Sequence, residues 1–111
     1  MKRVMRLDPF HRAIYFSYLA NAYYVAGEYE MALETSRTAV SRMPGIMQAG
    51  VWYSAAAGEL GRNEEARMAA AEVLRLKPDF TITRFLAMIR LANQEDARRL
   101  ADGLRKAGLP E

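Results

Sequence analysis

Residues 19–44 (LANAYYVAGEYEMALETSRTAVSRMP) and residues 53–78 (YSAAAGELGRNEEARMAAAEVLRLKP) decide the fold, because they are two copies of one unit. Identical residues recur in them at an offset of 34 positions. The recurring pairs are Ala22 and Ala56, Gly27 and Gly61, Glu30 and Glu64, Ala32 and Ala66, and Pro44 and Pro78. This period, with small residues, a central glycine and a terminal proline, is typical of a helix-turn-helix unit that stacks into a solenoid.

Within each unit, apolar and small residues recur every three or four positions, which predicts a pair of helices. The predicted helices cover residues 10–26, 29–42, 46–60 and 64–76. Gly27 and Gly61 are expected at the turns, and Pro44 and Pro78 end the second helix of each pair because proline cannot continue a helix. Asn63 is expected to cap the helix that follows it.

A third pair of helices is predicted after the second unit. Thr81 can cap a helix that reaches about Leu91, and Asn93 can cap a last helix that reaches about Lys106. The repeat has decayed here, so this pair is expected to be a cap on the stack. We therefore predict one domain over residues 1–111. Its parts are repeat one at about 13–46, repeat two at about 47–80 and the cap at about 81–108.

The composition of the chain argues against several classes of function. The 111 residues have a formal charge of only +3 and no cysteine, which excludes disulfides and thiolate chemistry. The basic residues are dispersed, so we expect no nucleic-acid or membrane binding. No signal peptide or membrane span is recognisable, and a cytoplasmic location is expected. His11 is the sole histidine, and the acidic pairs fall in first turns of helices, so we expect no metal, no cofactor and no enzyme activity.

The units resemble the tetratricopeptide repeat (TPR) family. In the first unit, the residues that match the family pattern are Phe16, Leu19, Ala20, Tyr23, Gly27, Tyr29, Ala32, Ala39 and Pro44. Only Ser36 departs from it. In the second unit, Tyr53, Ser54, Gly61, Ala66 and Pro78 match, whereas Gly50, Ala57 and Ala70 are small where the family is usually large. The resemblance implies a TPR-like solenoid of two repeats with a C-terminal capping helix pair.

Four segments resemble, more narrowly, the C-terminal TPR region of bacterial class III adenylate cyclases. They are residues 6–11, 22–30, 74–80 and 103–111. The cyclase domain of those proteins has no counterpart in this chain. The resemblance implies a partner-binding or regulatory tail of a signalling protein, without cyclase activity. It also implies that residues 3–9 end a preceding repeat, so the chain is expected to begin inside a solenoid.

TPR stacks line a concave groove with the first helix of each pair, and this predicts the partner-binding residues. They are Tyr18, Asn21, Tyr24, Val51, Trp52, Ala55, Glu59 and Phe85. Trp52, flanked by Tyr18 and Tyr24, is the expected hot spot, because tryptophan and tyrosine anchor many interfaces. The alternative, equally weighted for Trp52, is a place in the core between repeats. Asn21 stands where chaperone-binding TPR domains hold a peptide carboxylate, but Ser17 replaces their lysine, so such a ligand is not expected.

The first helix offers a second candidate surface. A missing upstream repeat would leave its edge uncovered, and the residues expected there are Tyr15, Phe16, Leu19 and Tyr23. Either a second copy covers this edge in a homodimer, or residues 1–10 fold back over it. The leading functional hypothesis is a non-catalytic module that binds another protein or peptide in the groove. The alternative is a homo-oligomerisation domain that uses this edge.

Overall fold

Six α-helices form the part of the chain that the structure, a computed structural model, describes. It describes residues 9–43, 45–89 and 94–111, with side chains from Tyr15 onward. The helices are α1 (Pro9–Val25), α2 (Tyr29–Arg42), α3 (Met47–Glu59), α4 (Asn63–Leu76), α5 (Ile82–Met88) and α6 (Gln94–Ala107). No strand occurs among these residues. The predicted all-α class is confirmed.

Glycines in the left-handed region end three of the helices. Gly27 has φ of 84°, Gly61 of 75° and Gly108 of 97°, a conformation that residues with a Cβ rarely adopt. After α1, the amide of Glu28 donates to the carbonyl of Tyr23 at 2.8 Å, and an equivalent bond of 2.9 Å follows α3. This is the hydrogen-bond pattern of a Schellman cap. The predicted turns at Gly27 and Gly61 are therefore confirmed.

The helix boundaries differ from expectation in two places. Thr81 caps α5 as predicted, because its hydroxyl accepts a hydrogen bond from the amide of Arg84 at 3.1 Å. Asn63 does not cap α4; it is the first residue of that helix, and its neighbour Arg62 occupies the cap position without a side-chain hydrogen bond. Helix α5 ends at Met88, short of the predicted end, because Ile89 is extended with ψ of 155°. The predicted cap Asn93 lies outside the described residues.

Helix α3 is the centre of the packing. It contacts α1, α2, α4 and α6, while α1 also packs on α2 and α6 also contacts α4 and α5. Its buried residues are mostly small: Ala49, Gly50, Val51, Trp52, Ser54, Ala55, Ala56, Ala57 and Gly58. Small side chains let neighbouring helix backbones approach closely. Because its buried side chains are small, α3 can be covered by α1, α2, α4 and α6 although it is short.

Ala66 of α4 is completely buried, so enlarging it is expected to overpack the core. We predict that Ala66→Leu lowers the free energy of unfolding by about 1–3 kcal/mol, because a close-packed interior must shift to admit the added atoms. Ala71→Leu is the matched control on the same helix, at an exposed position. Urea denaturation of both variants tests this, and equal stabilities for Ala66→Leu and the parent chain would contradict it.

Candidate functional site

Most residues of the predicted groove are buried. Five of them are at most 4% exposed: Tyr24, Val51, Trp52, Ala55 and Phe85. Asn21 and Glu59 are half-buried, and of the eight only Tyr18 is exposed, at 68%. The predicted set therefore does not form an open groove in this structure, and six of its eight residues are covered wholly or in large part by other elements of the chain.

Helix α6 covers the face of α3 that was expected to line the groove. The two backbones meet at a pair of glycines: a Cβ added to Gly58 would lie 2.5 Å from the carbonyl oxygen of Gly103. A Cβ on Gly103 would in turn lie 2.7 Å from the Tyr24 hydroxyl and 2.9 Å from the carbonyl oxygen of Ala55. Since atoms at these distances overlap, only glycine fits on either side of the crossing.

A partly buried polar network fixes α6 to the end of α1. The Tyr24 hydroxyl lies 2.9 Å from both a carboxylate oxygen of Glu59 and the carbonyl oxygen of Arg99, and it shares its proton between these two acceptors. Burial, followed by the charge of Glu59, raises the pKa of Tyr24 far above its usual value. The ammonium of Lys106 lies 3.4 Å from the second oxygen of Glu59. The network links α1, α3 and α6.

Arg99 caps the carboxyl end of α1. Its guanidinium donates to the carbonyl oxygen of Val25 at 2.8 Å, to the Tyr29 hydroxyl at 2.9 Å and to Asp96 at 2.7 Å. The last carbonyls of a helix have no partner within the helix and carry partial negative charge, so a cation stabilises them. The hydrogen bond to Asp96, and then that to Tyr29, raises the pKa of Arg99. Arg99 therefore acts as a cap supplied by a distant helix.

Aromatic rings form a continuous row through the core. Adjacent ring centroids are 5.1 Å apart for Tyr29 and Tyr24, 5.7 Å for Tyr24 and Trp52, and 6.2 Å for Trp52 and Phe85. Phe80 extends the row at 5.7 Å from Phe85. These tilted and edge-on arrangements are the favourable geometries for aromatic pairs. For Trp52, the structure favours the core alternative over the exposed hot spot.

The first helix carries an exposed apolar surface. Tyr15 is 54% and Tyr18 is 68% exposed, Ala22 is exposed, and Leu19 between them is half-buried. We call these four residues the α1 face. Residues 13–26 contain no acidic or basic side chain, so the segment of α1 that carries these four residues is itself uncharged. Of the predicted edge, Tyr15 is exposed, whereas Phe16, Leu19 and Tyr23 are half-buried.

An open groove of about 410 Å³, separate from the predicted one, lies between α2 and α4 over the start of α3. Its walls are mainly apolar, and Met68 on its rim is 71% exposed. At one end, Glu65 accepts a hydrogen bond from Tyr53 and another from Arg37, at 2.8 Å to Nη2. These bonds, that from Tyr53 first, hold the pKa of Glu65 below its usual value. The ion pair of Arg37 with Glu65 and the hydrogen bond from Tyr53 together connect α2, α3 and α4.

Three further features concern His11, groups of possible metal ligands and membrane-spanning helices. The side chain of His11 lies outside the described residues. Among those that are described, no three His, Asp or Glu side chains gather at a distance suited to a metal ion. None of the described helices combines the length and the apolar character that crossing a membrane requires.

Comparison with known proteins adds no assignment. No model of a known protein family matches the sequence, and a search of curated proteins returns no match. The function must therefore be inferred from the residues and the geometry of this chain.

Sequence reasoning missed that α6 fills the groove, although two signals were present. Leu100, Gly103, Leu104 and Ala107 recur at helical spacing and predict an apolar stripe on α6. A glycine inside a helix costs about 1 kcal/mol relative to alanine, so Gly103 indicates a close approach of another backbone. Neither signal says which helix approaches, because that contact joins residues far apart in the sequence.

Proposed function

We propose that the protein is a non-catalytic interaction module that recognises another protein through the α1 face. The observation that carries this proposal is the exposure of Tyr15 and Tyr18 side by side on a segment without charge. Tyr18 comes from the predicted groove and Tyr15 from the predicted edge, so the two candidate surfaces merge into one. A regulatory segment of a signalling protein remains the proposed setting, on the sequence resemblance.

Tyrosine on an exposed helix face is well suited to binding. Its ring buries a large area at a small loss of side-chain entropy, and its hydroxyl retains a hydrogen bond. Tyr15, Tyr18, Leu19 and Ala22 have the spacing by which one side of a helix meets a partner. Exposure of two large aromatic side chains next to one another is unusual unless another surface covers them.

A TPR-like arrangement is part of this proposal. Its support is the pairing of α1 with α2 and of α3 with α4, each through a turn with a left-handed glycine. Fully buried Ala20, Ala32, Ser54 and Ala66 also fit positions where such helices cross. Support for a non-catalytic role comes from the polar groups of Tyr24 and Arg99, which are engaged in contacts between helices.

A homodimer is the second candidate, and the lack of charge on the α1 face favours it. Residues near a two-fold axis meet their own copies, and like charges there would repel, whereas tyrosine, leucine and alanine would not. A stable interface buries about 800 Å² on each partner, which requires neighbouring residues in addition to the α1 face. Light scattering over a range of dilutions would detect such a dimer.

A photocrosslinking residue, benzoylphenylalanine, placed at Tyr18 in the full chain tests the proposal inside cells. We expect a discrete crosslinked product from this position, because the ring at Tyr18 is expected to contact the partner. The matched control carries the same residue at Met68, which is equally exposed on α4. The mass of the crosslinked product from position 18 distinguishes a second copy of this chain from a different protein.

Tyr15→Ser in the same crosslinking chain should abolish that product, since it removes half of the aromatic surface while leaving the core intact. Circular dichroism confirms that the variant keeps its helical content. Equal products from positions 18 and 68, or no product from position 18, would contradict recognition through the α1 face.

A further inference from the structure

Helix α6 occupies a surface built by other helices. Arg99 of α6 places its carbonyl oxygen 2.9 Å from the Tyr24 hydroxyl, and Gly103 meets the backbone of α3 at Gly58. We call the surface formed by Tyr24, Ala55, Gly58 and Glu59 the α6-binding groove; α1 and α3 supply all of it. This surface is distinct from the exposed α1 face.

The first four helices do not need α6 to contact one another. Helix α1 packs on α2 and α3, α2 packs on α3, and α3 packs on α4. Helix α6 contacts α3, α4 and α5, and polar bonds join it to the end of α1 and, through Tyr29, to the start of α2. Movement of α6 out of its groove would therefore break none of the direct contacts among the first four helices.

Helix α6 has the chemistry of a helix that binds in a groove. Its inner side is apolar and small, with Leu100, Gly103, Leu104 and Ala107 all buried. Polar contacts fix the register at two points: Arg99 on the carbonyl of Val25, and Lys106 on Glu59. The outer side is charged and exposed. Anchors every three or four residues on one side define recognition of a helix in a groove.

We propose that α6 is a built-in occupant of this groove, and that an amphipathic helix of the same chemistry replaces it. Such a partner carries leucine and small residues at the spacing of Leu100, Gly103, Leu104 and Ala107, with arginine four positions before its glycine. While α6 is bound, the groove is closed to that partner. The module then has two surfaces, an open α1 face and a groove controlled by its own C-terminal helix.

Hydrogen exchange of the unmodified full chain tests whether α6 leaves by itself. Amides of α6, such as that of Leu104, are expected to exchange about tenfold faster than amides of α3, such as that of Val51, because local opening needs less free energy than global unfolding. The same protection from exchange in both helices, measured relative to the intrinsic rate of each amide and with the same dependence on denaturant, would overturn the proposal.

A peptide of residues 94–111, free in solution, tests whether the groove accepts a helix from outside. Gly103→Leu in the full chain is expected to expel α6, because Tyr24 and Ala55 leave no room for a side chain. The added peptide should bind this variant at least about tenfold more tightly than the parent chain, whose groove is rarely vacant. Fluorescence of Trp52, the sole tryptophan, and a label on the peptide report the binding.

Gly58→Leu provides the matched control, since it blocks the groove side of the same crossing. This variant should also release α6 but bind no peptide. Complete unfolding of Gly103→Leu, or a folded Gly103→Leu chain that binds no peptide, would overturn the proposal. Neither readout involves Tyr15 or Tyr18, so failure here leaves recognition through the α1 face untouched, and failure of that recognition leaves the groove untouched.

Discussion

Gly58→Leu is expected to lower the free energy of unfolding by about 3 kcal/mol or more, at the upper end of overpacking effects. The first atom of the new side chain would overlap a backbone oxygen of Gly103 at 2.5 Å and approach the Cβ of Lys106 at 3.2 Å. Backbone atoms inside a helix cannot rotate away as a side chain can. Helices α3 and α6 must therefore separate, and the apolar contacts around Leu100 and Leu104 are lost.

Chemical denaturation, monitored by circular dichroism, measures this effect. Gly45→Leu is the matched control, because an added Cβ at Gly45 meets no atom within 4 Å. Its stability should stay within about 0.5 kcal/mol of the parent chain, as for most exposed substitutions. Equal stabilities of the two variants would contradict the close crossing of α3 and α6.

The helix turns could be predicted from the sequence because their causes are local. Gly27 and Gly61 permit the left-handed conformation that ends a helix, and no distant contact is needed for it. Thr81 was equally predictable, since its hydroxyl bonds an amide three residues away. Asn63 was mispredicted because a side chain with capping ability also fits the first turn of a helix.

The exposure of the aromatic residues could not be predicted in the same way. Tyr18 and Tyr24 have the same chemistry on the same helix, yet one is 68% and the other 1% exposed. Tyr24 is covered by Tyr29, Trp52 and Glu59 and also by Arg99 and Gly103, the last two more than 70 residues further along the chain. Helical spacing identifies the residues that share a face, but the element that covers the face is determined by long-range packing.

Tyr24→Phe is expected to have a large effect whose size depends on pH. At neutral pH, removing the hydroxyl takes a hydrogen-bond donor away from Glu59 and from the carbonyl of Arg99, which should cost about 1–2 kcal/mol. Tyr15→Phe removes the same hydroxyl from an exposed ring and should leave the stability at neutral pH unchanged. Thermal denaturation of the two variants compares a buried with an exposed phenol.

Above pH of about 10, the usual pKa of tyrosine, the parent chain should also lose the part of its stability that comes from the protonated hydroxyl of Tyr24. Burial raises the pKa of Tyr24 in the folded state, so the folded chain keeps this proton while the unfolded chain releases it. The contribution is therefore fully present below pH of about 10 and is lost as the pH rises, by about 1.4 kcal/mol per pH unit.

Tyr24→Phe cannot lose that contribution, because it has no proton to release. The difference in stability between the parent chain and Tyr24→Phe should therefore shrink from pH of about 10 upward and then change sign, since alkaline loss overtakes the benefit of the hydrogen bonds. Urea denaturation at several pH values between neutral and strongly alkaline measures this difference, in which the lysines and the other tyrosines cancel. Parallel pH profiles of the two chains would show that Tyr24 ionises as readily in the folded as in the unfolded state. That result would contradict the buried position of its hydroxyl beneath α6.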